Sequence, residues 1–200
     1  MYRLPEEGIF SVVGCGGFCR EVLSNIEGNP DLPAFVDPEY ILEGLKDIRN
    51  FNETIYDTIV LIGDSNIRKK MIKLLPPHTR YYSLIDDSVY IHDSVSVGDG
   101  SVLCPGVKIT CNISIGKHSI LNLNTTVGHD CIIGDYFSAM PSVSISGSCH
   151  IGNNVYIGTN ACIREDVSIC DYVLIGMGSV VLKDINEPGV YVGNPLRKIK

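Results

Sequence analysis

Positive charge is in short supply in this chain. Asp and Glu total 23 against 16 Lys and Arg, a net charge of −7, which argues against a general nucleic-acid binder. No apolar run is long enough to span a bilayer. Met1-Tyr2-Arg3 leads straight to Pro5, Glu6 and Glu7, with nothing like a secretory segment, so no membrane partner and a cytoplasmic location are expected. The eight cysteines (Cys15, Cys19, Cys104, Cys111, Cys131, Cys149, Cys162 and Cys170) include no CxxC pair. A zinc ribbon or redox motif is therefore disfavoured. Without a secretory signal a disulfide framework is disfavoured too, and the cysteines read as compact buried hydrophobes. His78, His92, His118, His129 and His150 never fall four, five or eighteen apart. No metal site is expected from that spacing.

What is present first is a strand, a glycine turn and a helix. Ile9–Val13 (IFSVV) is a short apolar run, followed by Gly14-Cys15-Gly16-Gly17 and then FCREVLSNI with helical apolar spacing. Free amides and the helix dipole make such a turn an anion site. Leu32–Val36 reads as a second strand ending at Asp37, where a ribose-hydroxyl acceptor sits in βαβ nucleotide sites. Thr58–Ile62 is a third apolar run, closed by Gly63-Asp64-Ser65-Asn66 and a helical IRKKMIKLL. Tyr81–Ile85 reads as the last strand of this part. The order implies a small parallel α/β sheet, a Rossmann-like unit over residues 1–86. The last glycine of the dinucleotide fingerprint is Cys19, so the turn also fits a plain tight βα connection.

From Ile91 the chain changes period. Steps of six give Ile91, Val97, Leu103, Ile109 and so on to Ile175 and Val181, every member apolar. Two residues earlier in each hexad, from Val89 to Ser179, stand mostly small or β-branched residues. Glycine often follows the aliphatic, as at Gly98, Gly116, Gly128, Gly134, Gly152, Gly158 and Gly176. A helix cannot keep a six-residue face; a hexapeptide parallel β-helix does, and residues 87–200 are assigned to it. Glycine is expected to permit the tight corners. Three hexads make one coil, so residues eighteen apart stack about 4.8 Å from each other. His129 then has Cys111 beneath and Gly147 above, with open space beside the ring at Gly147. Asp130 is stacked between Asn112 and Ser148, and it can orient the imidazole and stabilise its protonated form. A solvated histidine at a polar corner fits the same residues.

The glycine turn GCGGFCREV, the second turn LIGDSNIRKKM, the ladder, NTTVGHDCIIGDY and the closing VGNPLRK occur in this order. Together they resemble the bacterial hexapeptide-repeat sugar acyltransferases, which include sialic acid O-acetyltransferases and nucleotide-aminosugar N-acetyltransferases. The resemblance implies a left-handed β-helix, a homotrimer with active sites between subunits, and acetyl-CoA as co-substrate without a metal. It implies N-acetylation of a nucleotide-linked amino sugar, with His129 as general base and Asp130 orienting it. Gly14, Gly16, Gly17, Asp37, Gly63, Asp64 and Asn122 are then on the acceptor side. Gly147, Gly158 and Gly176 are on the CoA side; Arg197 and Lys198 suit the CoA phosphates as basic side chains, and a solvated basic tail fits them equally. The family turn continues with His-Gly where this chain has Phe18 and Cys19, and Ser138 stands where some members carry a second active-site histidine. O-acetylation of sialic acid, a non-catalytic scaffold and a metal-dependent lyase remain as alternatives.

Overall fold

The computed structural model describes residues 1–28 and 30–200. From Leu84 onward each hexad supplies a two-residue strand and a bend, and every third strand pairs in parallel. Thr126–Val127, for example, lies between Lys108–Ile109 and Ser144–Ile145 in an unbroken eighteen-residue register. Three sheets result, forming the faces of a three-sided solenoid. The aliphatic ladder points inward, with Ile109, Leu121, Ile157 and Val181 fully buried, and Cys131 and Cys149 pack among it. Each such side chain contributes on the order of 2 kcal/mol through burial.

The six-residue period is a backbone period. From Asn112 to Tyr172 every sixth residue is left-handed, with φ between 55° and 62°. Asn, Asp and Ser, which tolerate this conformation, hold most of these corners. The glycine series identified in the sequence serves another purpose. Gly128 has no positive φ, but a Cβ there would lie 2.7 Å from the Gly147 amide nitrogen of the next coil. Close approach of stacked backbones, rather than corner conformation, requires it.

Before the solenoid stand five parallel strands: β1 (Phe10–Val13), β2 (Ala34–Val36), β3 (Lys46–Asp47), β4 (Asp57–Val60) and β5 (Arg80–Tyr81). Their order is β3-β2-β1-β4-β5. Helix α1 (Gly17–Leu23) follows β1, and α2 (Ser65–Leu74) follows β4. The single strand expected over Tyr81–Ile85 divides in two. Arg80–Tyr81 pairs with β4, whereas Leu84–Ile85 pairs with Val102–Leu103 and already belongs to the solenoid. One hydrophobic cluster joins the two parts, with Val12, Cys19, Val22 and Leu61 against Leu84, Val102, Cys104 and Ile120. The N-terminal sheet therefore covers one solenoid face, here the docked face. The other two, carrying Tyr90 and Ile132 outward at 59% and 54% exposure, are uncovered.

Candidate active site

His129 lies on the bend between Thr126–Val127 and Ile132–Ile133, the edge shared by the two uncovered faces. Its Nδ1 is 2.8 Å from Asp130 Oδ2, and Asn112 Nδ2 donates to Asp130 Oδ1 at 3.1 Å. These two contacts, His129 first, hold the carboxyl below the usual carboxylate range. An ionised carboxylate only accepts, so the ring proton sits on Nδ1 and the basic lone pair on Nε2. Asp130 reaches its neighbour because it occupies a left-handed corner, φ 60°. The ring lies against Gly147. A Cβ there would be 2.6 Å from Cε1 and 2.7 Å from Nε2. The register derived from sequence is met, with one change: the space at Gly147 is filled by the imidazole itself. The Gly147 amide donates to no acceptor among the described residues.

The glycine turn lines a cavity of about 440 Å³ with Gly14, Gly16, Gly17, Phe18, Asp37, Gly63 and Lys70 in its wall. Gly14 has φ 129°, and a Cβ on it would stand 2.9 Å from Leu61 O, so the β1 turn requires glycine. Asp37 Oδ1 accepts from the Glu39 amide at 3.2 Å and Oδ2 meets Lys70 Nζ at 3.1 Å. The Glu39 amide and then Lys70 hold its carboxyl below the ordinary range. Lys70 is a site residue that sequence reasoning passed over within a basic run. Of the two departures in the turn, Cys19 is structural: it is buried, and its thiol donates to Gly14 O at 3.3 Å. Phe18 presents a ring to the cavity.

The second turn is fixed by a residue the sequence did not mark. Arg68 is fully buried. Its Nε donates to His118 O at 2.9 Å and Nη1 to Ile62 O at 2.7 Å. Nη2 reaches Phe137 O at 2.9 Å and Ser138 Oγ at 2.8 Å. Ser138 Oγ in turn donates to Gly63 O at 2.9 Å. Burying a cation in this way costs less when oxygen acceptors surround it. Ser138, expected at a position that carries histidine in some relatives, is thus a buried link between solenoid and turn. Asp64 caps α2, Oδ1 accepting from Asn66 N and Ile67 N at 2.9 and 3.0 Å. It faces a second cavity, of about 390 Å³, over the docked face.

The remaining expected residues lie elsewhere in the protomer. Asn122, Gly158 and Gly176 sit on the bends that follow docked-face strands, a different edge from His129 and Gly147. Asn122 is buried with Oδ1 accepting from Leu123 N at 2.7 Å. Lys198 is paired with Glu187 at 2.9 Å, and Arg197 is exposed on the last strand. Among the described residues no three His, Cys, Asp or Glu side chains converge, and no helix is long and apolar enough to cross a membrane.

Residues 140–183 match the family model described as bacterial transferase hexapeptide (six repeats). Over 83 residues the chain is 31% identical to a GDP-perosamine N-acetyltransferase of Escherichia coli O157:H7. That alignment spans 41% of this chain and 38% of the relative. The structure of WeeI from Acinetobacter baumannii AYE is 30% identical with a TM-score of 0.82. The superposition covers 96% of this chain and 100% of WeeI. PerB from Caulobacter crescentus, solved in complex with CoA and GDP-perosamine, has the same fold at 22% identity and a TM-score of 0.82. There 98% of this chain and 99% of PerB are covered.

Proposed function

Because this chain belongs to the hexapeptide-repeat sugar acetyltransferases, we propose that it transfers the acetyl group of acetyl-CoA to the amine of a nucleotide-linked amino sugar. The observation that carries the reading is the His129–Asp130 pair lying over Gly147. The glycine-turn cavity with Asp37 supports it as the nucleotide pocket. The relatives whose names specify GDP-perosamine and CoA fit the same substrate classes. In this reading the N-terminal unit, expected over residues 1–86 and ending before Leu84 in the structure, is Rossmann-like and binds the nucleotide sugar. The remainder, from Leu84 to residue 200, forms a left-handed β-helix that performs the transfer in the cytoplasm.

The amine nitrogen attacks the thioester carbonyl while His129 Nε2 takes its proton; the carbon–sulfur bond then breaks and the proton passes to the departing thiolate. Asp130 stabilises the imidazolium in between. The free Gly147 amide suits the oxyanion of the tetrahedral intermediate, and side-by-side binding of the two substrates supplies much of the acceleration. Gly14, Gly16, Gly17, Asp37, Gly63 and Asp64 serve the nucleotide sugar. Gly147 serves the thioester, and Gly158, Gly176, Arg197 and Lys198 the rest of CoA.

His129 stands on the solenoid edge opposite the docked face, whereas the second cavity is walled by that face and the glycine-turn cavity by the N-terminal unit docked on it. One protomer alone does not bring base and acceptor together. The reading therefore places the site between copies in a homotrimer, where Asn122 of one copy can join His129 of the next. The uncovered apolar faces suit such an assembly. His129→Ala is expected to lower kcat about a hundredfold or more with little change in either KM. Wild-type turnover of this variant, with any nucleotide amino sugar the protein acetylates, would refute the mechanism.

A further inference from the structure

The edge that carries His129 also carries a polar ladder beneath it. Asn112 and Asp130, both left-handed at φ 56° and 60°, follow Ser94 at the same corner of successive coils. Among the described residues the Asp130 carboxylate meets two side chains, His129 at Oδ2 and Asn112 at Oδ1. We infer that Asn112 is a positioning residue for the transfer, fixing the carboxylate that in turn holds the His129 ring. The inference rests on the acetyl-transfer reading and deepens it.

The need for a second anchor follows from exposure. The His129 side chain is 61% exposed and that of Asp130 53%, so water competes for both ends of the pair. A carboxylate held at one oxygen alone is free to swing about its own bond. With the Asn112 amide on Oδ1, Oδ2 stays turned toward Nδ1 of the ring. A hydrogen bond to an ionised acceptor is stronger than one between neutral groups, and it favours the charged form. Asn112 is accordingly the second cause, after His129, of the low Asp130 carboxyl. With the proton kept on Nδ1, Nε2 keeps the lone pair that the transfer uses.

Asn112 is itself held from below. Its backbone N–H donates to Ser94 Oγ at 2.8 Å. Ser94 Oγ lies 2.8 Å from His92 Nδ1, which also accepts from the Ser94 amide at 3.1 Å. That acceptor role turns the Ser94 hydroxyl proton toward His92 and leaves the Oγ lone pairs to Asn112. The carboxylate beside the base thus rests on hydrogen bonds that span three coils.

Asn112→Gly removes the amide and suits a φ of 56°, so the corner survives the change. A carboxyl-carbon NMR titration is expected to show the Asp130 midpoint moving up toward the ordinary carboxylate range, because a donor to the charged form is lost. With a nucleotide amino sugar that the protein acetylates, kcat should fall about tenfold while both KM values hold. In an Asp130→Gly background, where glycine again suits the φ of 60°, the same substitution should change kcat by less than about twofold, since the carboxylate it positions is gone. Wild-type kcat in Asn112→Gly, an equal loss in both backgrounds, or an unmoved titration would each overturn the positioning role. If wild type acetylates no nucleotide amino sugar, the transfer reading fails instead, and the titration alone decides whether Asn112 holds the carboxylate.

Discussion

At the scale of single residues, Gly147 gives the sharpest handle on the base. Its missing Cβ is what lets the His129 ring lie where it does, since any Cβ would stand 2.6 Å from Cε1. Nothing in its backbone demands glycine: Gly147 is not among the positive-φ residues. Gly147→Ala is therefore expected to displace the imidazole and lower kcat by an order of magnitude or more. The melting temperature should shift little, because the ring is exposed and free to swing outward. A variant with wild-type kcat would mean that the ring's position over Gly147 does not matter to turnover. This contact was legible in the sequence as a stack of residues eighteen apart, as was the Asp130–Asn112 neighbour pair. What the register could not supply was the occupant of the space, since a period fixes Cα positions and not side-chain rotamers. Arg68 was illegible for a different reason. It sits in a run, IRKK, whose charges read as a solvated face, although its spacing to Met71 and Leu75 places it on the buried stripe of α2.

Between elements, the seam where α2 meets the solenoid carries a titration switch in its packing. The His118 ring is buried, edge-on to Tyr81 and stacked on Tyr136, and its Nδ1 has no hydrogen-bond partner. Burial, and then the charge of Arg68, push it down to about 4; Asp135 and Asp99 oppose and Lys117 assists. The unfolded chain takes up this proton near 6.5, so between the two values it binds more protons than the folded chain. Stability is then complete above about 6.5 and falls as pH drops toward about 4. The loss is ~3 kcal/mol at most, at 1.36 kcal/mol per pH unit. Urea unfolding at pH 7 and pH 4.5 should show the loss in wild type. It should be flattened in His118→Asn, a residue suited to the φ of 55° at this corner. Equal slopes in the two proteins would remove His118 as the cause. Sequence reasoning treated His118 only as a candidate metal ligand, because the seam exists only once the N-terminal sheet is laid on the docked face.

Over the whole molecule, the hexad period was strong enough to predict the solenoid and its register. β1 and β4 were legible as apolar runs closed by Gly14 and Gly63, and β2 as a run ending at Asp37. The two-residue strand β3, without a hydrophobic pattern, was not. The same geometry leads to a prediction about assembly. In the proposed reading each protomer carries its base on one edge and its acceptor cavities over the opposite face, so two differently damaged chains should repair each other. His129→Ala removes the base and leaves the cavities. Gly17→Phe does the converse. A side chain at Gly17, in the wall of the glycine-turn cavity, meets nothing within 4 Å of its Cβ, so the fold accommodates the ring and the cavity is expected to be obstructed. Each variant alone is expected to be inactive. Co-expressed with separate tags and purified through both, the mixed oligomers should recover activity, because some sites combine an intact His129 from one chain with an intact cavity from its neighbour. In a trimer every doubly tagged ring holds one such site of its three, so about a third of the wild-type activity is expected. If base and cavity worked within a single chain, no mixture would contain a complete site, and doubly tagged oligomers would remain as inactive as their parents.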